Sequence, residues 1–186
     1  MSWSLQVLWA VSGLILTVIA TFWQTALLIP TSWHDFALQP LPTTWQVGAV
    51  LFIGCVGGKW AAVLSQGGYI LLGLLGLNVF YQGGGWGYLG SPAFGYLLGF
   101  AVGGAVCGHL AFARDRTLEN LLFSCVAGLV MIHFVGISWL ILRWFPDFDG
   151  IVNLIQQYSV AVFGGQLLTC CAIPVLAGIF RFFLLY

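Results

Sequence analysis

Long apolar stretches, separated by short polar or glycine-rich breaks, run along the whole chain. A helix that crosses a bilayer needs about 20 mostly apolar residues, and runs of that kind recur here. The pattern therefore predicts an all-α, polytopic membrane protein with six transmembrane helices. Their predicted bounds are 4–29, 45–57, 60–79, 92–113, 118–143 and 158–185.

The composition supports the membrane assignment. Of 186 residues, 61% are hydrophobic and only 5% are charged, whereas soluble domains carry about 25% charged residues. This length suits one transmembrane domain over residues 1–186. The formal net charge is zero, and without a basic patch the chain is not expected to bind nucleic acid.

Basic residues predict the orientation, because they concentrate on the cytoplasmic side of membrane proteins. With the N-terminus inside, four of the five basic residues fall on the inner side and one on the outer side. The inner four are Lys59, Arg114, Arg116 and Arg181, and the outer one is Arg143. Both termini are therefore predicted to be cytoplasmic.

Catalytic and nucleotide-binding motifs do not emerge from the sequence. The stretch around Lys59 departs from a phosphate-binding loop, since Ile53 stands where a glycine is needed and Trp60 where Ser or Thr is needed. The five carboxylates lie in predicted loops or at a turn, and none is placed in the middle of a predicted helix. We therefore expect neither enzymatic activity nor a cofactor.

The cysteines and histidines do not predict a metal site. The five cysteines lie in apolar segments without a Cys-x-x-Cys pair, as buried small hydrophobic residues do. The histidines His34, His109 and His133 fall in three different segments without ligand spacing. His133 lies inside a predicted helix, where it either contacts a ligand or is hydrogen-bonded to a neighbouring helix.

Residues 80–100 form a glycine-rich, aromatic stretch without a charge. Irregular backbone at membrane depth is tolerated only where protein or a water-filled cavity covers it. We therefore expect residues 81–91, the glycine loop, to fold back on the bundle and cover a small-molecule site. Close helix packing is the alternative role for glycine, and it fits Gly95 and Gly99 well.

Three segments resemble the BioY family, the biotin-binding membrane components of energy-coupling-factor vitamin transporters. They are LPTTWQ (41–46), YILLGLLGLNVF (69–80) and GGGWGYLGSPAFGYLLGF (83–100). The resemblance implies a subunit that captures biotin or a biotin-like small molecule and does not hydrolyse ATP. Its implied partners are a transmembrane coupling protein and two ATPase subunits.

The resemblance and the glycine loop together predict one binding site. Near the C-terminus, Gln166 and Thr169 replace an Asp and a Lys of the family pattern. Thr169 cannot supply the positive charge of that Lys to biotin's carboxylate. Three alternatives follow: the carboxylate stays in water near Arg143, the ligand is not biotin, or the site does not serve transport. The predicted ligand-binding residues are Thr44, Gln46, Tyr69, Phe80, Gly84, Tyr96 and Gln166.

A second interpretation is a structural or assembly subunit of a larger membrane complex that reuses this fold without transport. An open cavity with converging polar groups favours binding, and a collapsed interior favours the structural role. The first helix carries only Gly13 and Thr17 as a small-residue pair for docking a partner. The expected location is the bacterial inner (plasma) membrane, with the thylakoid membrane as the alternative.

Overall fold

The computed structural model describes residues 2–30 and 35–184, so that His34 lies outside the described residues. The fold is mostly helical, at 76%. The helices are α1 (Trp3–Thr21), α2 (Gln46–Leu74), α3 (Phe94–Ala113), α4 (Leu118–Trp144), α5 (Phe148–Ile155) and α6 (Ala161–Phe183). The strands are β1 (Gln24–Pro30) and β2 (Phe36–Thr44), and short 3-10 and π turns span Trp86–Gly90 and Gln156–Val160.

Within the described residues, five helices are long and apolar enough to cross a membrane. They are α1, α2, α3, α4 and the helical run Phe148–Phe183. The sequence predicts six such helices. The difference lies in α2, where the predicted helices 45–57 and 60–79 belong to one element.

Helix α2 reverses its direction at Gly58, which has φ 78° and ψ −178°. The amide Nε2 of Gln46 lies 2.9 Å from the hydroxyl oxygen of Tyr69. A straight helix would separate two residues at this spacing by about 34 Å. The limbs 46–57 and 59–74 are therefore antiparallel, and glycine at the reversal takes a positive φ without strain.

The all-α prediction is wrong for residues 24–30 and 36–44, where β1 and β2 pair as an antiparallel hairpin. Helix α1 ends at Thr21 instead of continuing to residue 29. Pro30 disfavours helical backbone at residue 29, and Pro40 and Pro42 favour the extended backbone of β2. The hairpin rests on α6, and it forms one wall of the cavity described below.

Glycines bring α3 and α4 into backbone contact. A Cβ at Gly99 would lie 2.6 Å from the carbonyl oxygen of Ile132, and one at Gly103 would lie 2.5 Å from that of Gly128. Larger residues would push the two helices apart. The packing role that the sequence suggests for Gly99 is confirmed, and this contact fixes how Tyr96 and His133 face each other.

The glycine loop folds back on the end of α2, as the sequence predicts. The backbone N–H of Gly85 donates to the carbonyl oxygen of Gly73 over 2.7 Å. Gly83 and Gly85 have φ angles of 108° and 91°, which glycine adopts readily. The 3-10 turn that follows leads directly into α3.

Candidate ligand-binding site

A cavity of about 610 Å³ opens at the end of the bundle where α3 begins. Hairpin residues Thr43 and Thr44 form one side, and Tyr81 and Tyr88 of the glycine loop form another. Residues from the C-terminal helices complete the wall. Small-molecule sites have volumes of this order, with apolar walls and a few directed polar groups.

This cavity and most basic residues lie at opposite ends of the molecule. Ala93, just before α3, lines the cavity, whereas Ala113 at the end of α3 lines a cleft beside Lys59. The 20 residues of α3 span about 30 Å, which is the thickness of a bilayer's hydrocarbon core. The cavity is therefore at the end that the basic residues predict to be external.

The structure brings five of the seven predicted site residues to this cavity. They are Thr44, Gln46, Tyr69, Tyr96 and Gln166. They come from β2, both limbs of α2, α3 and α6, so that the fold assembles them from segments far apart in sequence.

The other two predicted residues, Phe80 and Gly84, do not belong to the cavity lining. The Phe80 ring is buried and packs against the rings of Tyr69 and Tyr88, with centroids 5.3 and 4.5 Å apart. A Cβ at Gly84 would lie 2.8 Å from the carbonyl oxygen of Gly73. Both residues support the lining residues and do not face the cavity themselves.

Tyr69 organises the side of the cavity next to the hairpin. Its hydroxyl donates to the carbonyl oxygen of Val79 over 2.9 Å and accepts from Nε2 of Gln46 over 2.9 Å. The hydroxyl of Thr21 lies 3.1 Å away. Among the described residues no hydrogen bond engages Oε1 of Gln46, so that this oxygen can accept one from a ligand.

A series of four hydrogen-bonded side chains reaches the cavity through Tyr96 and Gln166. Oε1 of Gln166 lies 2.7 Å from Nε2 of His133, and Nδ1 of His133 lies 3.0 Å from Oγ of Ser159. The hydroxyl of Tyr96 lies 2.6 Å from the same Oγ. The interpretation of His133 as a residue bonded to a neighbouring helix is confirmed, because both of its partners lie outside α4.

Donor and acceptor roles follow from this series. Because the Gln166 oxygen accepts, His133 must carry its proton on Nε2 and accept at Nδ1. Ser159 then donates to His133 and accepts from Tyr96. These three hydrogen bonds can therefore all form with the side chains uncharged. The two N–H groups on Nε2 of Gln166 remain available to a ligand.

Sequence reasoning missed Gln157, Tyr158 and Ser159. The first two line the cavity, and Ser159 is hydrogen-bonded to the lining residue Tyr96. They lie in the π turn between α5 and α6. The available signal was the polar run from Gln156 to Ser159, which interrupts an otherwise apolar C-terminal third. The sequence assigns this run partly to a loop and partly to the last helix.

Charged side chains do not line the described cavity. Thr169, which replaces the Lys of the family pattern, donates to the carbonyl oxygen of Gly165 over 2.9 Å and is buried beside Gly48. Arg143 is exposed, over the ring of Trp144. Burial raises the pKa of the lining residue Tyr88, so its phenol is neutral at pH 7.

Sequence comparisons relate the chain to known proteins. The model of the BioY family matches residues 5–183. A probable biotin transporter BioY of Lysinibacillus sphaericus is 36% identical over 130 residues, 69% of this chain and 65% of that protein. The biotin transporter BioY of Thermotoga maritima is 39% identical over 115 residues, 61% of this chain and 67% of that protein. These matches thus span about two thirds of each transporter.

A third relative and one solved structure cover nearly the whole chain. An uncharacterized 21.2 kDa protein of the psbX-ycf33 intergenic region in Cyanophora paradoxa is 28% identical over 184 residues, 96% of this chain and 95% of that protein. The crystal structure of the S-component for biotin from an ECF-type ABC transporter has a TM-score of 0.69, with 20% identity, over 97% of this chain and 94% of its own. The fold is therefore shared. Since the family model covers all but the chain's two ends, the resemblance is confirmed, and the chain belongs to the BioY family.

Proposed function

We propose that the chain is the substrate-binding membrane subunit for uptake of biotin or a biotin-like small molecule. The observation that carries this proposal is the cavity whose described lining is uncharged and includes the primary amides of Gln46 and Gln166. Relatives whose names state biotin transport support the choice of ligand. The function is capture and release, without chemical change of the ligand.

The two amides present complementary groups. Gln46 has an oxygen to accept a hydrogen bond, because its Nε2 is bound to Tyr69. Gln166 has N–H groups to donate, because its oxygen is bound to His133. A ureido ring carries two N–H donors and one carbonyl acceptor, so that it can satisfy both amides at once. The cavity's aromatic walls suit the rest of a biotin-like molecule.

Powered uptake requires partners, since the chain's own sequence lacks a nucleotide-binding loop. We propose a transmembrane coupling protein and ATPase subunits in this role. The pair Gly13 and Thr17 does not provide the docking surface: a Cβ at Gly13 would lie 2.6 Å from Ile53, and Thr17 is fully buried. The outer face of α1, with exposed Leu8 and Val11, is left for the partner.

We further propose six membrane crossings with both termini cytoplasmic, in the bacterial inner membrane or in a thylakoid. The reversal at Gly58 supports counting the two limbs of α2 as separate crossings. A membrane-impermeant thiol reagent added from outside should label a cysteine introduced at Trp86, but not one at Arg114, in a variant without native cysteines. Both positions are exposed, so access depends on the side of the membrane. The reverse pattern would refute this topology.

Direct binding tests the function. Calorimetric titration of the purified protein with biotin should show saturable binding of one molecule per chain. A supporting measurement is native mass spectrometry of protein extracted from biotin-fed cells, which detects ligand and partners together. If neither method detects biotin, the structural or assembly role becomes the better interpretation. The open cavity, in place of a collapsed interior, favours binding.

A further inference from the structure

Three cysteine thiols meet in the interior, away from the cavity. Cys55 of α2, Cys107 of α3 and Cys125 of α4 are all fully buried. The sulfur of Cys55 lies 3.6 Å from each of the other two, and all three sulfurs lie within 4.8 Å of one another. All three are free thiols. They lie outside the lining of the candidate site.

The spacing matches the shell of a single thiophilic ion. Zinc binds thiolate sulfur at about 2.3 Å, so three sulfurs around one ion lie about 3.8–4.0 Å apart in tetrahedral or trigonal geometry. Two of the separations here are already 3.6 Å. Side-chain movements below about 1 Å would complete the site. A fourth thiol is near, because Sγ of Cys170 lies 3.9 Å from the carbonyl oxygen of Cys125.

Charge balance favours a divalent ion. The buried guanidinium of Arg181 donates to the carbonyl oxygen of Ala111 over 2.9 Å, one helical turn beyond Cys107. Three thiolates, one divalent ion and this guanidinium together carry no net charge. That balance matters in a membrane interior, where an uncompensated charge is costly to bury. A monovalent ion would leave one negative charge over.

An approach route lies at the basic end of the bundle. A cleft of about 310 Å³ is lined by Gly57, Gly58 and Gly108, with His109 beside them. Gly57 lies two residues after Cys55, and Gly108 follows Cys107 directly. The barrier between cleft and thiols therefore includes glycine backbone, which has no side chains to displace.

We propose that Cys55, Cys107 and Cys125 form a binding site for one thiophilic divalent ion with a filled d shell, of which Zn²⁺ is the cellular example. Binding releases the three thiol protons to water and changes no oxidation state. The ion ties α2, α3 and α4 together near their inner ends. Sequence spacing gives no sign of this site, because each helix contributes a single ligand.

Cadmium titration of the purified full-length protein tests the site. Cd²⁺ should produce a sulfur-to-metal charge-transfer band in the ultraviolet that saturates at one ion per chain. Cys55→Ser and Cys125→Ala should each weaken Cd²⁺ binding at least tenfold. Cys171→Ser is the matched control, because Cys171 is exposed and lies outside the cluster; it should bind as the parent does.

Two outcomes would overturn the proposal. One is a parent protein that gives no saturable band, a result that requires no variant. The other is a band that persists in both cluster variants or disappears in Cys171→Ser, which would assign the ion to another site. Circular dichroism of each variant verifies that the helices are intact. Titration of the same samples with biotin tests the proposed function independently, because the cysteines lie outside the cavity lining.

Discussion

Replacing Gln166 by leucine is expected to weaken biotin binding by about 5- to 150-fold. The change removes the N–H donors of Gln166 and leaves the ligand's polar group unpaired, which costs about 1–3 kcal/mol. It also leaves Nε2 of His133 without its 2.7 Å acceptor. Calorimetric titration of parent and variant measures the ratio of dissociation constants.

Gln156→Leu is the matched control for this variant. Gln156 is exposed and does not line the cavity, although it lies next to the lining residue Gln157. The same chemical change there should leave the dissociation constant within about twofold of the parent value. Equal binding by Gln166→Leu and the parent would contradict the assigned role of Gln166.

His133 provides a second test of the same arrangement. It does not line the cavity, so we expect it to act by orienting Gln166. His133→Leu should therefore weaken binding less than Gln166→Leu does, and the double variant should be no weaker than Gln166→Leu alone. Additive losses would instead show that the two side chains act independently.

The helical part of the fold could be predicted because apolar runs of membrane length are an unambiguous signal. The hairpin could not, since Leu27, Leu28 and Ile29 extend the first apolar run past the true end of α1 at Thr21. The break at Gly58 could be located, since one predicted helix ends at residue 57 and the next begins at residue 60. That the two limbs run antiparallel becomes clear only from the contact between Gln46 and Tyr69.

Part of the candidate site could be predicted because the family's motifs include residues that the structure places on the cavity. Sequence does not distinguish a lining residue from one that supports it. Phe80 is turned inward because Gly73 leaves space for its ring, which depends on how the loop folds back. The pairing of His133 with Gln166 depends on the rotation of two helices about their axes, which sequence alone does not specify.

The neutral cavity leads to a prediction about the charge of the ligand's tail. Without a cation among the described lining residues, biotin and biotinamide should bind the parent within about threefold of each other, because the carboxylate gains no ionic partner. Gln157→Lys should supply an ionic partner for the carboxylate, because position 157 lines the cavity and is exposed. A lysine at position 169 would instead enter the buried contact with Gly48.

A lysine at position 157 should strengthen biotin binding about fivefold, equivalent to about 1 kcal/mol for a partly solvated ion pair. Biotinamide binding should not change, and the gain for biotin should shrink in high salt because ions screen the pair. Gln156→Lys, with the same charge outside the cavity, should give neither effect. Titrations with both ligands at two salt concentrations provide the measurement. If the parent already prefers biotin to biotinamide by tenfold or more, a cation must reach the bound tail, and Arg143, the basic residue predicted to be external, would be the next residue to replace.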